Sequence, residues 1–331
     1  MKGVCLQEYL KLLRKNILLI AVAFILLTVI FIFSIKIGDD NYTFFSIIDS
    51  FFNKNDEYFI IYEIRIPRSL AAVFVGASLG VAGLVMQYIL KNPLASPFTL
   101  GISHGALFGA SLSIVFYDSL YIALFAFLGA NIVTFLILML SRLRGFTPEV
   151  LILSGVAVSA LFGSGSMFLQ YFADDLQLSN IINWSFGDLS KAEYFSIGVL
   201  GCVFTIGFIY FYIKKWDFNA LDIVESENVG VNVRRLRLVS LFIATLLSAV
   251  SVAYFGIIGF VGLVAPHFAR LLSGDFRFLL PLSAIIGAGL LLLSDIASRI
   301  LLSPVELPVG ILTSFIGAPL FLILLIKIYR K

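Results

Sequence analysis

The feature that most constrains this chain is an uncharged run from Val239 to Ala269, a stretch of 31 residues. As one straight helix the run would be about 46 Å long, which exceeds the roughly 30 Å thickness of the hydrocarbon layer of a membrane. Three glycines and Pro266 interrupt the run, and these residues favour two shorter helices joined by a tight reversal. The run therefore predicts two membrane spans, Leu238–Phe255 and Ile257–Leu272.

Composition extends this interpretation to the whole chain. The sequence is 60% hydrophobic and 13% charged, and its mean hydropathy is +1.04, whereas soluble domains are about 25% charged. We therefore predict an all-α integral membrane protein with a single transmembrane domain over residues 1–331. Ten apolar stretches approach the length of about 20 residues that a span needs, and they are Ile17–Ile35, Leu70–Leu90, Leu100–Phe116, Leu120–Leu140, Val150–Phe172, Tyr194–Ile213, Leu238–Phe255, Ile257–Leu272, Leu279–Ile296 and Leu307–Ile328.

The distribution of basic residues orients these ten spans. With a cytoplasmic N-terminus, six of the 23 Lys and Arg residues lie outside, whereas merging the two spans of the uncharged run would place ten outside. Because basic residues concentrate on the cytoplasmic side, we predict that both termini are cytoplasmic, in a bacterial or archaeal inner membrane. Three of the outside residues are arginines, which this bias does not explain: Arg65, Arg68 and Arg299.

Three motifs indicate a family. The chain contains RIPRSLAAVFVGASLGVAGLVMQ from Arg65, KNPLASPFTLGISHGA from Lys91 and GFVGLVAPHFARLL from Gly259. In this order they resemble the FecCD family of permeases, the membrane subunits of ATP-driven importers for ferric siderophores, haem and vitamin B12. The resemblance covers roughly Ile17 to Ile328. It implies the type II ABC importer permease fold, with ten transmembrane helices of which spans 2–5 and 7–10 form an inverted repeat.

The resemblance also implies the partners. A second copy of the chain would form a homodimer around one path, two ATP-binding cassette subunits would bind inside, and a periplasmic or lipid-anchored substrate-binding protein would dock outside. The chain has no GxxxxGK[ST] phosphate loop, so we expect it to bind no cofactor, with ATP and Mg on the partner ATPase. Its two histidines and two cysteines suggest no metal cluster, and we expect neither enzyme activity nor nucleic-acid binding.

The resemblance gives the three outside arginines a role. In the family, the positions of Arg65, Arg68 and Arg299 meet glutamates of the binding protein, and a planar guanidinium suits such directional pairs with carboxylates. Asp295 lies one helical turn before Arg299, which predicts an intrahelical ion pair when no partner is docked. The alternative is interfacial anchoring, in which the guanidinium ends only snorkel to water.

Two further sets of residues are assigned by resemblance. Asn92, Pro93 and Leu94, in a Pro-containing turn, would form part of a cytoplasmic gate, although a simple helix stop would look the same. In the fifth span, a small and mildly polar face would line the translocation path, although it could equally serve helix packing; its residues are Ser159, Gly163 and Ser166. The four-residue spacing of glycines in the second and third spans predicts close helix contacts.

The largest predicted cytoplasmic loop, Leu221 to Leu238, mixes acidic and basic residues. By resemblance it forms short coupling helices that contact the ATPase, and Gly230 would turn the chain between them. The residues assigned to this contact are Glu225, Glu227, Asn228 and Gly230. The segment Arg270–Arg277 is the second candidate for the same role.

The spans contain almost no ionisable side chains. An ion-coupled secondary transporter usually keeps such residues near the middle of the membrane, so it is the alternative to ATP-driven import rather than the first choice. The chain also lacks an HExxH motif or another recognisable catalytic set. We expect an importer permease that works by alternating access, with a ferric siderophore as substrate; haem, vitamin B12 and molybdate-type oxyanions remain open.

Overall fold

The computed structural model of the chain describes residues 2–38, 50, 52, 58–143, 147–221, 230–303 and 305–329. Across these residues the regular structure is helical, without strands. A π-helical stretch, Phe59–Arg65, leads directly into the second helix. Twelve α-helices lie in the described part of the chain: α1 (Lys2–Lys36), α2 (Ile66–Ile89), α3 (Ile102–Tyr117), α4 (Ile122–Leu143), α5 (Pro148–Phe172), α6 (Asp175–Ser185), α7 (Tyr194–Ile213), α8 (Lys215–Leu221), α9 (Val233–Phe255), α10 (Val261–Leu272), α11 (Phe276–Ile300) and α12 (Val309–Tyr329).

The prediction of an all-α, multi-pass membrane protein agrees with this helix set. By length and composition, seven described helical segments can cross a membrane, and three predicted spans correspond to shorter apolar helices, Ile102–Tyr117, Val261–Leu272 and Val309–Ile323. The count of ten spans is therefore not confirmed and stays a prediction. The uncharged run does divide into two helices, but the second begins at Val261 and not at Ile257.

Two irregular segments meet inside the helix bundle. Residues 90–101 join α2 to the short helix α3, and residues 256–260 join α9 to the short helix α10. A Cβ atom on Gly262, at the start of α10, would lie 3.3 Å from Pro97 Cδ and 2.9 Å from the carbonyl oxygen of Leu79. Irregular backbone within a membrane is tolerated where protein buries it or where it lines a cavity; here residues 95–97 and 256–260 are buried or half-buried, and Phe98 and Phe260 line one cavity.

Glycine contacts fix α2 against α11. A Cβ atom on Gly76 would lie 2.3 Å from the carbonyl oxygen of Gly287, and one on Gly80 would lie 2.3 Å from that of Ser283. A Cβ atom at either position would clash with the α11 backbone, so only glycine allows the two backbones to approach this closely. The close helix contacts that the glycine spacing predicts are therefore confirmed, and α2 forms the buried centre of the fold.

Candidate docking and translocation sites

Arg68 is the centre of a charged cluster at the end of the bundle that the sequence predicts to be external. Its Nε donates to Asp295 Oδ1 at 2.7 Å, its Nη1 donates to Glu306 Oε2 at 2.5 Å, and its Nη2 donates to Ser298 Oγ at 3.3 Å. The Arg68 side chain is 4% exposed and that of Asp295 is 0% exposed, whereas that of Glu306 is 44% exposed. Arg68 is thus held between one buried and one accessible carboxylate.

Arg299 joins this cluster from one helical turn beyond Asp295. Its Nη2 lies 3.1 Å from Asp295 Oδ2, close enough for an ion pair but without hydrogen-bond geometry. The predicted intrahelical pair is therefore confirmed. The same guanidinium donates to the carbonyl oxygens of Ser34 and Ile37 at 3.0 and 2.8 Å, and to Ser34 Oγ at 2.8 Å. Arg299 thereby fastens the end of α1 to α11.

Arg65 contributes to the same anchoring of α1. Its Nη1 donates to the carbonyl oxygens of Ile35 and Lys36, both at 3.1 Å, which are among the groups that a helix end leaves without helical partners. Arg65 and Arg299 are 7% and 6% exposed. The cluster thus differs from simple snorkelling, in which the guanidinium ends would reach water. Docking through these arginines stays a prediction.

We name the five charged side chains Arg65, Arg68, Arg299, Asp295 and Glu306 the arginine cluster. Three positive and two negative groups leave this cluster with a net charge of +1 among the described residues. An excess of positive charge complements an acidic partner surface. Glu306 could not be assigned to this cluster from the sequence, because 238 positions separate it from Arg68 along the chain.

A cavity of about 570 Å³ lies where the two irregular segments meet α12 and the end of α6. Four aromatic side chains line it, and we therefore call it the phenylalanine cavity; they are Phe98, Phe186, Phe260 and Phe315. Its polar side chains are serines, and no charged residue of the described chain lines it. The volume falls within the usual range for small-molecule sites, about 300–1,000 Å³.

The predicted path residues of α5 do not line the phenylalanine cavity but lie against α3. Ser159 Oγ donates to the Gly155 carbonyl at 2.6 Å. A Cβ atom on Gly101 would lie 2.0 Å from Ser159 Oγ. A Cβ atom on Gly163 would lie 3.3 Å from His104 Cδ2, while Ser166 is 1% exposed. This small face therefore packs against α3 and the residue before it, which favours the packing alternative. The path assignment stays a prediction.

The predicted gate forms a compact turn after α2. The Asn92 side chain accepts a hydrogen bond from the backbone of Leu94 at 2.9 Å, and its own backbone N–H donates to the Gln87 carbonyl at 3.2 Å. Pro93 and Leu94 are exposed. This geometry fits both a gate and a helix stop, so the gate stays a prediction.

At the predicted cytoplasmic end, three of the four coupling residues, Glu225, Glu227 and Asn228, lie outside the described residues. Gly230 is described, and its φ of +81° places it in the left-handed region, which suits the predicted turn.

The short helix α8 is tied to the start of α11. Asn219 Nδ2 donates to Asp275 Oδ1 and Asn219 Oδ1 accepts from the Phe276 N–H, both at 2.9 Å. The Phe218 and Phe276 rings stack with centroids 4.3 Å apart. Burial alone would raise the pKa of Asp275, but hydrogen bonds from Arg277 and Asn219 outweigh it and lower that pKa.

With this geometry established, comparison with known proteins identifies the family. A model of the FecCD transport family matches residues 26–327. The chain belongs to the FecCD transport family. Its members are transport permease subunits of ABC importers and not enzymes, and the ATPase of such an importer is a separate subunit.

Relatives of this family member cover 80% or more of its length. It is 46% identical to an ABC transporter permease protein of Methanocaldococcus jannaschii over 98% of this chain and 99% of that protein. A Bacillus subtilis permease of Fe(3+)-citrate import is 37% identical over 94% and 96% of the two chains. A Yersinia pestis permease of hemin transport is 40% identical over 80% and 82%.

A solved structure supports the same fold. It is described as an inward-facing conformation of an ABC transporter of the metal-chelate type, and it is 32% identical with a TM-score of 0.85. The alignment covers 93% of this chain and 99% of that one.

Proposed function

We propose that this FecCD permease translocates an iron chelate, with a ferric siderophore as the first candidate, by alternating access powered by ATP hydrolysis on a separate subunit. The support is the set of relatives named for Fe(3+)-citrate and hemin and a structural neighbour described as of the metal-chelate type. Haem, vitamin B12 and a molybdate-type oxyanion are the other substrates that the family suggests.

The phenylalanine cavity is the observation that carries this proposal. It lies beside the two irregular segments that interrupt the helices. Many transporters bind their substrate where transmembrane helices are interrupted in this way. Aromatic and aliphatic surfaces with a few serine hydroxyls attract a bulky chelate weakly, and weak attraction lets the substrate leave on the other side. Strong ligands would instead trap it.

The family resemblance suggests a homodimer, and the open side of the phenylalanine cavity is a surface that a second copy would cover. Phe315 lines the cavity and is 79% exposed, while Phe168 and Met167 on α5 are 64% and 70% exposed. A second copy related by two-fold symmetry would present the same faces. Packed beside α12, it would close the open side of the cavity and make one path from two chains.

The remaining partners follow from the two ends of the bundle. A substrate-binding protein with acidic side chains would dock on the arginine cluster, where the net charge is positive. Two ATP-binding cassette subunits would contact the opposite end, through the segment that includes Gly230 and follows α8. Both chain termini would then be cytoplasmic, as the positive-inside rule predicts.

Reconstituted transport tests this proposal. Proteoliposomes would contain this permease, its ATPase and its substrate-binding protein, and uptake of a ⁵⁵Fe-labelled siderophore would be measured with ATP inside. The matched control is an ATPase whose phosphate-loop lysine is replaced by alanine. We expect uptake that requires all three proteins and active ATPase. Uptake by the permease alone, driven by an ion gradient, would instead establish a secondary transporter and overturn the proposal.

A further inference from the structure

Glu306 is the one charged member of the arginine cluster that water reaches readily. Its side chain is 44% exposed, whereas those of the other four members are at most 7% exposed. It lies in the connection between α11 and α12, not within a helix. Of the two carboxylates that bind Arg68, Glu306 is therefore the one that can leave without moving a transmembrane helix.

The other carboxylate cannot leave so easily. Asp295 is fully buried on α11, and both Arg68 and Arg299 lie within ion-pair distance of it. Separating it from them would leave charges buried without partners, which is far more costly than breaking a pair whose acid is solvent-exposed. A partner that reaches Arg68 must therefore take the position that Glu306 holds.

We propose that Glu306 is a built-in competitor for docking. It holds the accessible carboxylate position on Arg68 in the undocked permease, and an acidic side chain of the docking protein replaces it. This inference rests on the proposed function, in which a substrate-binding protein docks on this end. The exchange keeps the buried guanidinium paired throughout, and the released Glu306 returns to water. Docking is then specific for a carboxylate but readily reversible, as a partner that must leave in every cycle requires.

The Glu306→Gln variant tests this exchange directly. The side chain keeps its size but loses the charge that competes for Arg68. We expect its transporter complex in nanodiscs to bind the immobilised substrate-binding protein about two- to fivefold more tightly than wild type, which corresponds to the strength of a solvent-exposed ion pair.

Glu63→Gln is the matched control, because Glu63 is an exposed acid of the same predicted external side and the change removes the same charge. We expect its affinity to equal that of wild type. Equal tightening in both variants would reduce the effect to general electrostatic steering and overturn the proposal. Thermal unfolding of each variant verifies that the permease is intact.

The remaining outcomes separate this inference from the proposed function. Unchanged or weaker binding of Glu306→Gln, while wild type binds normally, would overturn the competitor role and leave the docking partner intact. Wild-type complexes that bind no substrate-binding protein would overturn the proposed function and this inference with it. Glu306→Asp keeps the charge on a shorter side chain, and we expect an affinity between wild type and Glu306→Gln; an affinity outside that interval contradicts the exchange.

Discussion

Replacing Asp295 with asparagine should destabilise the protein strongly, because it removes the fully buried carboxylate of the arginine cluster. Arg68 Nε lies 2.7 Å from one carboxylate oxygen and Arg299 Nη2 lies 3.1 Å from the other. Removing one partner of a buried ion pair costs about 3–5 kcal/mol. With about 2.1 cal/mol/K of unfolding entropy per residue, the 331-residue chain loses stability at about 0.7 kcal/mol/K, so we expect Tm to fall by about 4–7 °C.

Thermal unfolding in detergent, followed by intrinsic tryptophan fluorescence, measures this change. Asp118→Asn is the matched control, because Asp118 is exposed and follows α3 in a left-handed conformation, with φ of 47°, that asparagine adopts readily. We expect its Tm to lie within about 1 °C of wild type, as for an ordinary surface substitution. A similarly small change for Asp295→Asn would refute the description of the arginine cluster as a buried network that needs both of its carboxylates.

Three other perturbations test the fold and the cavity. Gly76→Ala should lower folded yield and Tm, because the added Cβ would lie 2.3 Å from a backbone oxygen. Gly289→Ala should change neither, because a Cβ added at Gly289 would meet no described atom within 4 Å beyond the adjacent backbone of its own helix. Asn219→Ala removes two hydrogen bonds and should lower the free energy of unfolding by about 1–3 kcal/mol, measured as a fall in Tm. Asn183→Ala is its control, because the Asn183 side chain makes one long hydrogen bond, of 3.4 Å. Phe260→Ala should alter the concentration dependence of uptake while ATPase activity without substrate is unchanged; identical uptake curves would exclude a role for the phenylalanine cavity.

Local patterns in the sequence predicted much of the fold. The division of the uncharged run into two helices follows from glycine and proline placement, and the close backbone contact that α2 makes follows from its glycine spacing. That its partner is α11 was not predicted. The start of α10 was misplaced by four residues, from Ile257 to Val261, because residues 256–260 are as apolar as a helix. Hydropathy alone does not distinguish a buried irregular segment from a span.

The candidate sites were harder to predict, because their residues are distant in sequence. Phe98 and Phe260 line one cavity across more than 160 residues, and neither stands out from the 33 phenylalanines of the chain. The small residues of α5 contact α3 and the residue before it, while their assignment to the translocation path stays a prediction. The backbone clearance around Gly101 and Gly163, which shows this contact, is not visible in a sequence.

The two ends of the protein are connected by α11. It begins at Phe276, where Asn219 of α8 binds its backbone, and its last turns carry Asp295 and Arg299. Because glycines bring α2 into direct backbone contact with α11, the two helices cannot slide past each other without separating the Gly76 contact. In the proposed docking, a rearrangement of the arginine cluster must therefore either move this helix pair as one body or stay confined to side chains and the connection that carries Glu306. In the proposed exchange, Glu306 is the carboxylate that moves in both cases, and α8 moves only in the first.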